Sequence, residues 1–266
     1  MRRCCAPLAL AWACILACTW AAPAVAEPLS CGVVLMHGKW GMPQSPYLKP
    51  VVQKLEPACP VKLLEMPWSR FRLYDKPYAD ALAQIRQAVA EFRQAGVQWV
   101  AVGGQSFGAN ASLAYMAQVG DVDAVLPLAP GHVPVSFYQI PEVRRGIDAA
   151  HQAVQAGQGD TLVDMTDINQ GQRRQVRAPA AALWSYFDPQ GWGHMGLSAR
   201  SFRKPVPVFW AIGTLDPLYP ASSTAIYQQL PAHADSQYLV VQANHATTPE
   251  AASEALWLWV QARTGR

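Results

Sequence analysis

The segment Gly104-Gln105-Ser106-Phe107-Gly108 sets a hydroxyl between two glycines at the spacing of a nucleophile elbow. The spacing has a steric reason. A serine held on a sharp strand-to-helix turn needs small residues two places before and after it, so that the crossing backbones can approach. At glycine and serine usage of roughly 7% each, the pattern arises by chance in about one chain of this length in ten. A strand-like run before it and a helical pattern after it raise its weight; the competing reading is a structural glycine-rich turn. Serine is a weak nucleophile near neutral pH, so it needs a base within hydrogen-bond reach and a carboxylate to orient that base. The bases on offer are His37, His132, His151, His194, His233 and His245. Two aspartates stand in Asp-Pro turns, Asp216 before Pro217 and Asp188 before Pro189. There is no His-Glu-x-x-His and no paired Cys-x-x-Cys, so no metal ligand set is read, and the chemistry calls for no cofactor.

The elements that would position these groups alternate. Strands are expected at 33–36, 61–65, 99–102, 124–128, 206–212 and 238–242. Gly103-Gly104 should break the third, and Pro205 and Pro207 should mark entry to the fifth. Leu82, Ile85, Val89 and Phe92 recur at helical spacing, so 78–94 reads as a helix ended by Gly96. Further helices are expected at 106–119, 221–230 and 249–263. Strands separated by helices imply an α/β fold, a mostly parallel sheet of about six strands with helices on both faces. Such sheets bind ligands at the carboxyl ends of their strands, which is where Ser106, Asp216 and His245 fall. The stretch 131–204 breaks the rhythm. With helical patches at 141–155 and 178–187, it reads as a cap inserted over that end of the sheet, since a structureless loop of such length is improbable.

Four motifs, His37-Gly38-Lys39-Trp40-Gly41, the serine elbow, Gly213-Thr214-Leu215-Asp216-Pro217 and Asn244-His245, stand in the chain order Ser, Asp, His. In them the sequence resembles the α/β-hydrolase superfamily over Cys31 to about Arg263. The small dienelactone-hydrolase-like and carboxylesterase-like members are the nearest comparison. Dienelactone hydrolases carry cysteine at the elbow, where this chain has Ser106. The resemblance implies Ser106 as nucleophile, His245 as base and Asp216 as its orienter. It also implies an oxyanion hole built from the backbone N–H groups of Phe107 and Lys39, with the Lys39 ammonium solvated and His37 bracing the loop. His132 and His194 flank the inserted stretch within reach of a substrate. Trp40, Trp192 and Tyr219 are candidate pocket walls; for each the alternative is core packing.

The first 26 residues read as a secretory signal peptide: Met1-Arg2-Arg3, an apolar run from Ala6 to Cys18, then Ala24-Val25-Ala26 as the cleavage site. Ile15-Leu16-Ala17-Cys18 offers a second reading as a lipobox, with a lipid anchor at Cys18. Neither requires a transmembrane span. Loss of Arg2 and Arg3 takes the formal net charge from +3 to +1, which gives no support to nucleic-acid binding. Four of the six cysteines lie in the leader, leaving Cys31 and Cys59, which in an exported chain predict a disulfide over two separate buried thiols. The strand order implied by the resemblance sets both at one edge of neighbouring strands, within disulfide reach.

Residues 27–266, with 131–204 as the inserted cap, are therefore expected to form a periplasmic or secreted serine hydrolase. It would cleave a small-molecule carboxylic ester or thioester through an acyl-enzyme. The alternatives are an acyltransferase on the same triad and a noncatalytic binding protein on a hydrolase scaffold.

Overall fold

Long apolar runs in this chain become strands because both of their faces are covered. The structure, a computed structural model, describes Met1 and residues 31–265. The leader and the candidate anchor Cys18 therefore lie outside the described residues. Strand β1 (Cys31–Met36) is buried at every position, as is β4 (Ala124–Pro130), and β3 (Trp99–Ser106) at all but its first residue. Such continuous burial belongs to the middle of a parallel sheet flanked by helices. With β2 (Val61–Leu64), β7 (Phe209–Gly213) and β8 (Gln237–Val241) they form a six-stranded parallel sheet in the order β2-β1-β3-β4-β7-β8. Helices α1 (Lys49–Leu55) and α9 (Thr248–Thr264) close one face, over a core that includes Leu35, Leu128, Phe209 and Leu256. Helices α2 (Tyr78–Gln94) and α3 (Phe107–Gln118) close the other, over Val34, Val102, Ile85 and Tyr115. None of the helices among the described residues is long and apolar enough to cross a membrane.

Cys31 and Cys59 are joined by a disulfide, with their Cα atoms 5.1 Å apart. The register explains the pairing. Val33 lies beside Val61, so residues two places earlier on each chain share one level at the amino end of the sheet. Closing a loop of separation 28 contributes about 3.5 kcal/mol in the chain-entropy picture.

The helix at 78–94 forms as its spacing predicts. The third strand does not stop at Val102: Gly103 and Gly104 stay in register beside Leu35 and Met36, and the strand runs on to Ser106. These glycines are there for close approach rather than as breakers, since a β-carbon on Gly103 would lie 2.5 Å from the Leu126 carbonyl oxygen. The fifth expected strand starts later, at Phe209, after the two prolines have left only an isolated bridge from Val208 to Val125. The helix expected at 221–230 is instead α8 (Tyr219–Ala225), followed by a single 3-10 turn at Tyr227–Gln229.

The stretch 131–204 carries α4 (Pro134–Tyr138), α5 (Pro141–Gln155), α6 (Ala180–Phe187) and α7 (Met195–Arg200). Between α5 and α6 stands an antiparallel hairpin, β5 (Leu162–Asn169) with β6 (Gln172–Pro179), which was not anticipated. Its two-residue turn, Gln170-Gly171, has φ of +48° and +79°, the left-handed pair that matches the twist of a tight hairpin. The hairpin packs on α5 so closely that a β-carbon at Gly146 would lie 2.4 Å from Met165.

Candidate active site

Ser106 ends β3 with φ +58° and ψ −114°, a conformation L-residues avoid at a cost of about 1–3 kcal/mol. The surrounding packing enforces it. β-Carbons on Gly104 and Gly108 would lie 2.3 Å and 2.1 Å from the Met36 carbonyl oxygen, so only glycine lets the turn seat against β1. Helix α3 starts at the next residue, and the Phe107 ring is clamped between Trp68 (4.4 Å between centroids) and His132 (3.8 Å).

Asp216 and His245 arrive on the loops after β7 and β8. These loops are tied together by the Leu215 N–H donating to the Ala243 carbonyl at 3.0 Å. Asn244 shapes the second loop, its Oδ1 accepting the N–H groups of Ala246 and Thr247 at 2.9 and 3.0 Å. Asp216 is buried. One carboxylate oxygen accepts the Leu218 N–H at 2.9 Å and the other lies 2.6 Å from His245 Nδ1. An ionised carboxylate only accepts, so this contact places the proton on Nδ1 and leaves the Nε2 lone pair free. Nε2 looks across Gly131 at the elbow: a β-carbon there would lie 2.7 Å from Ser106 Oγ and 3.5 Å from Nε2. The structure thus brings Ser106, Asp216 and His245 together at one end of the sheet. The Oγ–Nε2 hydrogen bond itself stands open, as such contacts often do without substrate.

The His37–Gly41 loop backs directly onto the elbow. A β-carbon on Gly38 would sit 3.0 Å from Ser106 Cβ. His37 braces the loop: Nδ1 lies 2.8 Å from the Gly38 carbonyl and Nε2 accepts the Met66 N–H at 3.1 Å. Burial pushes the His37 imidazolium below its usual range. Trp40 adopts φ +55°, and its N–H goes to Trp68. The Lys39 N–H meets no backbone acceptor among the described residues, and the Phe107 N–H stands at the first position of α3, where helix donors are uncommitted.

The Lys39 side chain corrects the sequence reading. Expected in solvent, its ammonium is buried, donating to Asp167 at 2.6 Å and to the Ile168 carbonyl at 3.0 Å, and lying 4.1 Å over the Phe137 ring. Desolvation lowers its pKa, and the Asp167 charge opposes that. The Asp167 carboxylate also accepts from Trp40 Nε1 at 3.0 Å and the Tyr74 hydroxyl at 2.6 Å, while Asn169 Nδ2 donates to the Lys39 carbonyl at 3.2 Å. The hairpin is thereby pinned to the loop beside the elbow. Sequence reasoning missed Asp167. The available signal was the short alternation from Val163 to Thr166 ahead of Gln170-Gly171, a hairpin pattern that Asp167 and Ile168 break and that was read as part of an undivided cap.

A cavity of about 650 Å³ opens beside Ser106 and His245, walled by Val133, Phe137, Ile168, Leu215 and Leu218 among others. A second, of about 220 Å³, meets Ser106 on the Gly38–Gly41 side. Of the candidate walls, Trp40 lines the smaller cavity, whereas Trp192 and Tyr219 line neither and pack against the core. The aromatic and aliphatic walls come from Phe137 and Leu218 instead. His132 does reach the larger cavity. Burial, with Lys39 nearby, holds it well below its usual pKa, its Nε2 2.8 Å from the Tyr186 carbonyl. His194 caps α7 through Nδ1, and Asp188 accepts the Gln190 N–H within its own turn, so neither joins the Ser106 site. Among the described residues no group of three metal-ligating side chains gathers.

No protein-family model matches the chain, and no curated protein matches its sequence. Solved structures do match over most of its length. Est1E from Butyrivibrio proteoclasticus, solved with ferulic acid bound, superposes with a TM-score of 0.64 at 16% identity, over 90% of this chain and 92% of that one. A monoacylglycerol lipase from Paleococcus ferrophilus gives 0.64 at 16%, over 88% and 95%. The α/β-hydrolase GrgF from Penicillium sp. gives 0.64 at 15%, over 89% and 92%. The chain has the α/β-hydrolase fold.

Proposed function

We propose that this protein is an exported serine hydrolase that cleaves a carboxylic ester or thioester through an acyl-enzyme. The observation that carries the reading is the 2.6 Å contact of His245 Nδ1 with a buried Asp216, set so that Nε2 and Ser106 Oγ flank the same point beside Gly131. In this reading Ser106 Oγ attacks the carbonyl carbon and its proton passes to His245 Nε2. The C–O or C–S bond to the leaving group breaks as Nε2 returns that proton to it. Water then repeats the sequence on the acyl-serine and releases the acid. Asp216 keeps the imidazole in the required tautomer and stabilises the transient imidazolium. The amides of Phe107 and Lys39 receive the oxyanion, and losing such a donor typically costs about 100- to 1000-fold in rate. The monoacylglycerol lipase among the structural neighbours supports ester chemistry. Export rests on the 1–26 leader and the Cys31–Cys59 bridge.

The test is Ser106→Ala, assayed on a panel of carboxylic and thioesters. Ester turnover is expected to fall by about three orders of magnitude or more with the fold intact. Full turnover in the folded variant would reject the serine mechanism. The mass of the mature protein separates cleavage after Ala26 from lipidation at Cys18.

A further inference from the structure

Ser106 stands on the wall shared by two cavities of opposite character. The larger is apolar, faced by Val133, Phe137, Ile168, Leu215 and Leu218, and it holds the His245 imidazole. The smaller lies between the His37–Gly41 loop and the hairpin turn. It is faced by Ser45, Gln105 and Gln172, shares Asn169 and Gln170 with the larger cavity, and is not reached by His245. The side chains of Ser45, Gln170 and Gln172 make no hydrogen bond among the described residues, and Ser45 is 5% exposed. These polar groups line the cavity and are available to whatever enters it.

The tetrahedral carbon formed on Oγ has three further substituents, and each has a different requirement. The oxyanion goes to the Phe107 and Lys39 amides. The leaving oxygen must take its proton from His245 Nε2, which faces the larger cavity alone. The acyl substituent then points to the remaining side, into the smaller cavity. The fixed charges on the two walls are Lys39 and Asp216. Lys39 is paired with Asp167 and capped by an aromatic ring, and Asp216 is paired with His245. Neither is free to meet a charged substrate, which would have to give up its hydration unpaired.

We propose that the smaller cavity is the acyl subsite and the larger one the leaving-group subsite, so that the substrate class is an uncharged ester of a short, polar acid with a bulky, apolar alcohol. The inference rests on the serine-hydrolase reading above. In the chemical step the bond from Oγ to the acyl carbon forms, the bond from that carbon to the alcohol oxygen breaks, and the proton taken from Oγ leaves on the alcohol.

Two isomeric esters test it, because octyl acetate and ethyl octanoate have the same formula and apolarity with the chain on opposite sides of the carbonyl. The full-length protein is expected to hydrolyse octyl acetate with kcat/KM at least about 100-fold above ethyl octanoate. Octyl lactate is expected to match or exceed octyl acetate. Ser45→Leu, which fills the small cavity and removes its hydroxyl, should lower octyl lactate turnover about tenfold more than octyl acetate turnover. Equal or better hydrolysis of ethyl octanoate by the unaltered protein overturns the assignment while leaving the serine mechanism standing. A protein that hydrolyses no ester and takes no fluorophosphonate label overturns both.

Discussion

Replacing Asp167 by alanine leaves the Lys39 ammonium buried with a single carbonyl partner. The side chains of Lys39 and Asp167 are 2% and 0% exposed, so solvent does not screen the pair. Breaking a buried ion pair from one side typically costs about 3–5 kcal/mol, because the remaining charge is uncompensated. A ceiling follows from the chemistry of lysine. At pH 7 the ammonium can shed its proton instead, at a cost of about 4.8 kcal/mol for a group whose ordinary pKa is 10.5. The loss is therefore about 4 kcal/mol, a drop in Tm of roughly 8–16 °C for a domain of this size. The converse substitution, Lys39→Met, is milder, about 1–3 kcal/mol, since Asp167 keeps the donors of Trp40, Tyr74 and its neighbour Ile168. Combining the two removes the orphaned charge, and the double variant should be about 2 kcal/mol more stable than additivity allows. Urea denaturation of the four proteins measures this. An Asp167→Ala protein within about 1 kcal/mol of the parent would refute the claim that this pair is buried and locked.

Three other outcomes follow from the geometry. Gly131→Ala places a methyl 2.7 Å from Ser106 Oγ and 3.5 Å from Nε2, so kcat on any hydrolysed ester should fall about 100-fold or more while Tm changes little; unchanged kcat would mean that the two groups do not meet there. Below pH 6.5 the unfolded chain protonates His37 and His132, whereas the folded chain, with both pKa values lowered by burial, resists it. Stability should therefore fall with decreasing pH from 6.5 toward the folded values, by up to about 2.7 kcal/mol per pH unit; a denaturation midpoint flat from pH 6.5 to 5 contradicts this burial. Replacing Cys31 and Cys59 by alanine should cost about 3.5 kcal/mol, and a reductant, expected to lower Tm in the parent, should leave Tm of the variant unchanged.

The groups readable from the chain are those whose position is dictated by their nearest neighbours. The elbow announces itself through glycines two places either side of Ser106, because backbone contact with Met36 tolerates nothing larger. Asp216 and His245 follow strand signals directly, so topology alone brings them to one rim. Asp167 was hidden for the opposite reason: its partners lie 128, 127 and 93 residues away, and nothing local to it hints at Lys39, Trp40 or Tyr74. The same holds for the pocket walls. Trp192 and Tyr219 sit beside motifs in the chain yet pack against the core, while Phe137, far from any motif, and Leu218, the immediate neighbour of Tyr219, line the cavity beside Ser106. Gly103 and Gly104 misled in a third way, since glycine that permits close packing and glycine that ends a strand look alike without the neighbouring strand.

The most direct test of the account is covalent labelling of the native protein with a fluorophosphonate, followed by mass mapping of the adduct. A single adduct on Ser106, lost when His245 is replaced by alanine, is the predicted result. An intact, folded protein that stays unlabelled, or that carries its adduct on another residue, would contradict it.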